Sequence, residues 1–139
     1  MNENDLRALL ERYRCVGLTG PANSGKTTLA DRVSDSATVL HGDDYQPLGS
    51  SEATAALARA TAVAADGARP VLIEGVTVPR AVRKGAPVRC LVVLSEGRPL
   101  NRGQEAQWAG VQTVVREITG AFPDLVVTHR HSPIGRRGG

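Results

Sequence analysis

The segment Cys15-Val16-Gly17-Leu18-Thr19-Gly20-Pro21-Ala22-Asn23-Ser24-Gly25-Lys26-Thr27-Thr28-Leu29-Ala30 holds the pattern G-x-x-x-x-G-K-[ST] between a short apolar run and a segment of helical character. Cys15 to Thr19 reads as a buried strand because it is apolar throughout and ends at a glycine-rich turn. Lys26 to Val33 reads as a helix. Strand, glycine-rich turn and helix in that order are the context the pattern requires. Gly20 and Gly25 permit a loop whose amides turn inward on an anion, and the helix start adds its partial positive charge. Lys26 can bridge the β- and γ-phosphates of ATP, and the Thr27 hydroxyl can ligate Mg²⁺. A chain of this composition meets the pattern by accident about once in a few hundred cases. With 15 Arg and only 2 Lys in the chain, a lysine at this position is itself informative. The candidate nucleotide-binding residues are therefore Gly20, Pro21, Ala22, Asn23, Ser24, Gly25, Lys26, Thr27 and Thr28; the plainer alternative is a Gly/Ser turn between a strand and a helix.

Outward from this segment, strand and helix signals alternate. Asn4 to Tyr13 carries an Asx cap and apolar residues at helical spacing. Ala37 to His41 predicts a second strand that ends in the polar cluster Gly42-Asp43-Asp44. Ser51 to Ala65 predicts an alanine-rich helix capped by Ser50 or Ser51 and stopped by Asp66-Gly67. Pro70 to Gly75 and Val88 to Leu94 are continuous apolar runs, as expected of strands buried on both faces. The stretch from Arg98 to Gly120 is helical in its later part, and Asp124 to Thr128 predicts a fifth strand. Such alternation argues for an α/β fold with a parallel sheet covered by helices. Residues 1–130 read as one domain and residues 131–139 as a flexible basic tail.

Composition narrows the possibilities. A chain of 139 residues fits a single domain. Aromatics are 3% of it, so Val, Leu, Ile and Ala must build the core. No run is long and apolar enough for a membrane span, and the N-terminal residues lack the layout of a signal peptide, which reads as cytoplasmic. Cys15 and Cys90 sit inside apolar runs and read as buried structural thiols. Residues 1–79 carry 7 basic and 10 acidic side chains, and residues 80–139 carry 10 and 4. A basic second half suits a polyphosphate ligand and is also compatible with nucleic acid.

Three segments carry a resemblance. Thr19 to Ala30, the stretch Val39-Leu40-His41-Gly42-Asp43-Asp44-Tyr45-Gln46-Pro47, and Val71-Leu72-Ile73-Glu74-Gly75 together resemble the uridine kinase and nicotinamide riboside kinase family of small-molecule kinases. The resemblance implies a P-loop NTPase-type three-layer sandwich with a five-stranded parallel sheet in the order 2-3-1-4-5. It also implies Asp43 as general base and arginines of a lid, Arg98 or Arg102, on the phosphates. Where that family has a longer substrate-binding insertion and an arginine-rich lid, this chain has one short helix and Arg98-Pro99-Leu100-Asn101-Arg102.

The remaining candidates each have a plainer reading. Asp44 can contact Mg²⁺ through water or a substrate hydroxyl, or be a solvated turn carboxylate. Glu74 ends an apolar strand where open α/β sheets take ligands, and an unpaired buried carboxylate is costly, so it is expected near metal or substrate. Thr27, Asp43 and Glu74 are the candidate metal-facing oxygens, and Asp44, Tyr45 and Glu74 the candidate substrate contacts. Tyr45 can stack on a ring or simply pack. His41 reads as a strand side chain, His129 and His131 as loop residues, and Trp108 as a core residue at helical spacing with Val111 and Val115. The function expected from all this is ATP- and Mg²⁺-dependent transfer of phosphate to a hydroxyl of a small molecule, a nucleoside or other riboside. Two alternatives are a kinase acting on a nucleotide or modified base in nucleic acid, and an ATP-binding protein without transferase activity.

Overall fold

A computed structural model describes residues 1–95 and 99–132. Helix α1 (Glu3–Tyr13) leads into β1 (Cys15–Thr19), α2 (Lys26–Arg32) and β2 (Thr38–His41). A single 3₁₀ turn (Gly42–Asp44), α3 (Ser51–Ala65), β3 (Val71–Glu74) and α4 (Val78–Arg83) follow. The described chain continues through β4 (Cys90–Leu94), α5 (Arg102–Ala121) and β5 (Val126–Arg130). All five strands are parallel and lie in the order β2-β3-β1-β4-β5, so β1 is central.

Alternation along the central strands sends side chains to two faces, and each face has its own core. Val16, Leu18, Leu72, Val92 and Leu94 pack against Leu6 and Leu10 of α1 and Leu29 and Ala30 of α2. Val71, Ile73, Leu91 and Val93 face the other way, onto Leu57 of α3, Val78 and Ala81 of α4, and Trp108, Val111 and Ile118 of α5. The α/β expectation and the strand order are met, with helices covering both faces. β1, β3 and β4 are buried at every position, as their apolar runs predict, while β2 and β5 are partly exposed edges. Each fully buried Leu or Val contributes about 1.5–3 kcal/mol by leaving water.

Four sequence expectations need correction. The α1 cap is Asn2, not Asn4: Asn2 Oδ1 accepts from the Asp5 amide at 2.9 Å and Asp5 Oδ2 accepts from the Asn2 amide at 3.1 Å, a reciprocal box that needs Asp5 at the third helical position. α4 was not expected; Pro79 sits in its first turn, where a missing amide costs nothing, and Val78, Ala81 and Val82 bury one face. β5 begins two residues later than its composition suggests because pairing with β4 sets its register at Cys90↔Val126 through Leu94↔Arg130. His129 therefore lies in a strand, not a loop.

Trp108 is a core residue as expected, and it also borders a hollow of about 360 Å³ between α5 and the β4–β5 edge, shared with Val93, Arg116 and His129. Of the residues read as a tail, the His131 carbonyl accepts from the N-terminal amine at 2.8 Å, and the buried Ser132 hydroxyl donates to the Ser24 carbonyl. Residues 133–139 lie outside the described residues. Among the described residues no helix is long and apolar enough to cross a membrane.

Candidate functional site

The carboxyl ends of β1, β2 and β3 deliver three segments to one edge of the sheet. From β1 the chain enters the loop Gly20–Gly25, where Asn23 has φ of 62° and Gly25 of 83°. The left-handed turn at Gly25 makes it the residue before α2, and a glycine there offers no side chain to cap the helix. The amides of the first turn of α2 are thus left for a ligand. Pro21 and Ser24 are buried, Ala22, Gly25 and Lys26 half-buried, and Asn23, Thr27 and Thr28 exposed. Among the described residues the buried hydroxyls of Thr19 and Ser24 have no hydrogen-bond partner, which is uncommon for polar groups held away from water.

Lys26 begins α2 and turns back over the loop, its Nζ donating to the Pro21 carbonyl at 3.1 Å. Burial pulls the Lys26 ammonium below its ordinary value, opposed by the charges of Glu74 and Asp43. Thr27 Oγ1 lies 3.5 and 3.4 Å from the two carboxylate oxygens of Glu74. Glu74, the last residue of β3, is only 2% exposed. Its carboxyl is pushed up chiefly by burial; the His41 hydrogen bond and the charges of His41 and Lys26 act against this, and Asp43 adds to it.

His41 stands opposite Glu74 in the β2–β3 register and its Nδ1 lies 2.7 Å from Glu74 Oε1. Its Nε2 lies 3.4 Å from Asp31 Oδ1 of α2. Desolvation pulls the imidazole down, but the Glu74 hydrogen bond and the charges of Glu74, Asp31 and Asp44 outweigh it and hold His41 above its ordinary value. Read as a plain strand side chain, His41 proves to be part of the site. The available signal was its spacing: Val39 and His41 share the face turned to α2, as do Leu72 and Glu74.

Asp43 and Asp44 are exposed on the 3₁₀ turn that follows β2. This turn comes close to the end of β3 because two glycines meet there: Gly42 and Gly75 lie so near that a methyl on Gly75 would stand 3.4 Å from the Gly42 Cα. Gln46 Nε2 donates to the Asp43 carbonyl at 2.7 Å and braces the turn. Tyr45 is half-buried and packs against the α3–α5 core. Arg102 is the exposed first residue of α5, just after the capping Asn101, and forms no ion pair among the described residues. Arg98 lies outside the described residues.

Lys26, Thr27, Glu74 and Asp43 are thus brought together, with His41 added, while Arg102 opens α5 and Tyr45 packs against the core on the other face of the sheet. Among the described residues no group of three or more His, Cys, Asp or Glu side chains forms a metal cage. Mg²⁺ does not require one, since it usually takes one or two protein oxygens and completes its shell with water and phosphate. A hydroxyl and a carboxylate 3.4 Å apart, Thr27 and Glu74, fit that demand. No protein-family model and no curated protein matches the chain.

Proposed function

We propose that the protein is an ATP- and Mg²⁺-dependent kinase that transfers the γ-phosphate to a hydroxyl of a small molecule, a nucleoside or other riboside. The observation that carries this reading is the convergence of Lys26, Thr27 and Glu74 beside the uncapped start of α2, with Asp43 near enough for its charge to act on Lys26. A P-loop NTPase-type fold belongs to the same reading and is supported by the parallel 2-3-1-4-5 sheet with the loop at the end of its central strand.

In this reading the amides of residues 20–27 and the Lys26 ammonium hold the phosphates, and Thr27 and Glu74 hold Mg²⁺. Bound Mg²⁺ supplies positive charge against the triphosphate. Asp43 accepts the proton of the acceptor hydroxyl as its oxygen forms a bond to phosphorus and the bond to ADP breaks. Arg102 and Arg98 are the proposed lid cations. The contribution of the protein is positioning and fixed charge rather than covalent chemistry. Dependence on ATP suits a cytoplasmic protein.

The test is ADP release measured at fixed Mg²⁺ and ATP across a panel of nucleosides and ribosides. ADP release that rises with one acceptor is the expected result. Release no greater than the acceptor-free background with every compound would overturn the transferase reading and leave an ATP-binding protein. Transfer to a polynucleotide instead, with binding that falls steeply as salt rises, would move the acceptor to nucleic acid.

A further inference from the structure

A buried carboxylate can serve a metal only if its oxygens are held in one orientation, and β3 alone supplies nothing that does so. Glu74 ends the strand with a flexible side chain, and the next residue, Gly75, leaves the strand with φ of 140°. The orientation comes from the neighbouring strand. The parallel register sets His41 directly opposite Glu74, and the alternation of side chains turns both toward α2. There the imidazole reaches Glu74 Oε1 through Nδ1 at 2.7 Å and Asp31 Oδ1 through Nε2 at 3.4 Å. One imidazole thereby ties the end of β2 to the end of β3 and to α2, the helix that carries Thr27.

We propose that His41 is the positioning residue of this site: it holds Glu74 Oε1 on Nδ1, so that the carboxylate, both of whose oxygens lie within 3.5 Å of Thr27 Oγ1, and that hydroxyl face the cation of a metal–triphosphate together. This rests on the kinase reading above. Asp31 acts at one remove, by fixing the orientation of the ring through Nε2. A positioning histidine of this kind costs metal affinity when it is lost, commonly about 10–100-fold, because the carboxylate then samples orientations that do not bind. His41 touches neither phosphate nor acceptor in this assignment, so its loss spares metal-free triphosphate binding, which belongs to Lys26 and the loop.

The experiment is calorimetric titration of a non-hydrolysable ATP analogue into the full chain, once with Mg²⁺ and once with EDTA. The proteins are wild type, His41→Leu, His41→Asn and Asp31→Asn. In the wild type Mg²⁺ should raise affinity. His41→Leu should lose about tenfold or more of that Mg²⁺-dependent gain, with EDTA affinity within about twofold of wild type. His41→Asn, whose amide can donate from near the position of Nδ1, should restore most of the gain. Asp31→Asn, a change at an exposed side chain, should lose a smaller part of the gain than His41→Leu. Equal losses with Mg²⁺ and with EDTA in His41→Leu would mean a purely structural tie and would overturn the proposal. So would an unchanged Mg²⁺ increment in both His41→Leu and Asp31→Asn. A wild type that binds the analogue in neither condition would instead overturn the kinase reading, and this assignment with it.

Discussion

Replacing Gly42 by alanine tests how the carboxyl edge of the sheet is assembled. The backbone of Gly42 is outside the left-handed region, so alanine meets no conformational penalty there and any cost is steric. The new methyl would stand 2.8 Å from Thr77 Oγ1 and 3.2 Å from the Glu74 carbonyl. Thr77 is 3% exposed and has little room to turn, and the carbonyl belongs to the last residue of β3. Relief must therefore come from moving the 3₁₀ turn away from β3. Overpacking of this kind costs about 1–3 kcal/mol. For a domain of this size, 1 kcal/mol corresponds to roughly 3–5 °C, so Tm should fall by about 3–15 °C in a circular-dichroism melt. Because the turn carries Asp43, phosphate transfer should fall more than ATP affinity. Thr77→Ala in the Gly42→Ala background removes the nearer obstacle and should recover part of the loss. Gly49→Ala is the contrast: its φ is 80° with open space around it, so its cost is conformational, about 1 kcal/mol, with no effect on transfer. A Gly42→Ala protein that melts within 1–2 °C of wild type and transfers phosphate normally would refute this account of the turn.

Three further perturbations probe other levels. Asp43→Asn should abolish acceptor-dependent ADP release while keeping ATP affinity within about threefold, because an amide of the same shape cannot take the hydroxyl proton; Asp44→Asn should be partly rescued by higher Mg²⁺ or acceptor. Gly120→Ala in α5, where an added methyl meets nothing, should stabilise the protein by about 0.5–1 kcal/mol in denaturant melts. Burial pushes the Cys15 thiol from 9.0 up to about 11, so a thiol reagent should label the folded protein slowly at pH 8. The same shift has a stability consequence: between pH 9 and 11 the unfolded thiol releases its proton while the folded one keeps it. Wild type should therefore lose stability as pH rises through that window, on the order of 2 kcal/mol, relative to Cys15→Ala.

The parts that sequence made legible are those whose local chemistry has one solution. The loop at 20–27 is spelled by its glycines, lysine and threonine, and β1, β3 and β4 announce themselves as unbroken apolar runs because both of their faces are covered. α4 escaped because six residues containing Pro79 carry too little periodicity to register as a helix, although proline in a first turn is compatible with one. The shift of β5 has a different origin, since an edge strand takes its ends from its partner, and the pairing with β4 begins at Cys90↔Val126. Glu74 was readable as a buried charge at a strand end. His41 was not, because its meaning lies in the β2–β3 register, and register is a relation between strands that neither strand states alone.

The most direct test of the central claim is calorimetric titration of ATP with Mg²⁺ into wild type and Lys26→Ala. Among the described residues Lys26 Nζ donates a hydrogen bond to the Pro21 carbonyl alone, so the variant should keep the far-ultraviolet spectrum and melting behaviour of the wild type. Loss of a charge-assisted contact to phosphate costs about 1.5–3 kcal/mol, which corresponds to roughly a tenfold to hundredfold weaker Kd. Saturable binding by the wild type and a loss of that size in a folded Lys26→Ala protein is the predicted result. Equal ATP affinity in the two folded proteins would contradict the assignment of residues 20–27 as a phosphate cradle.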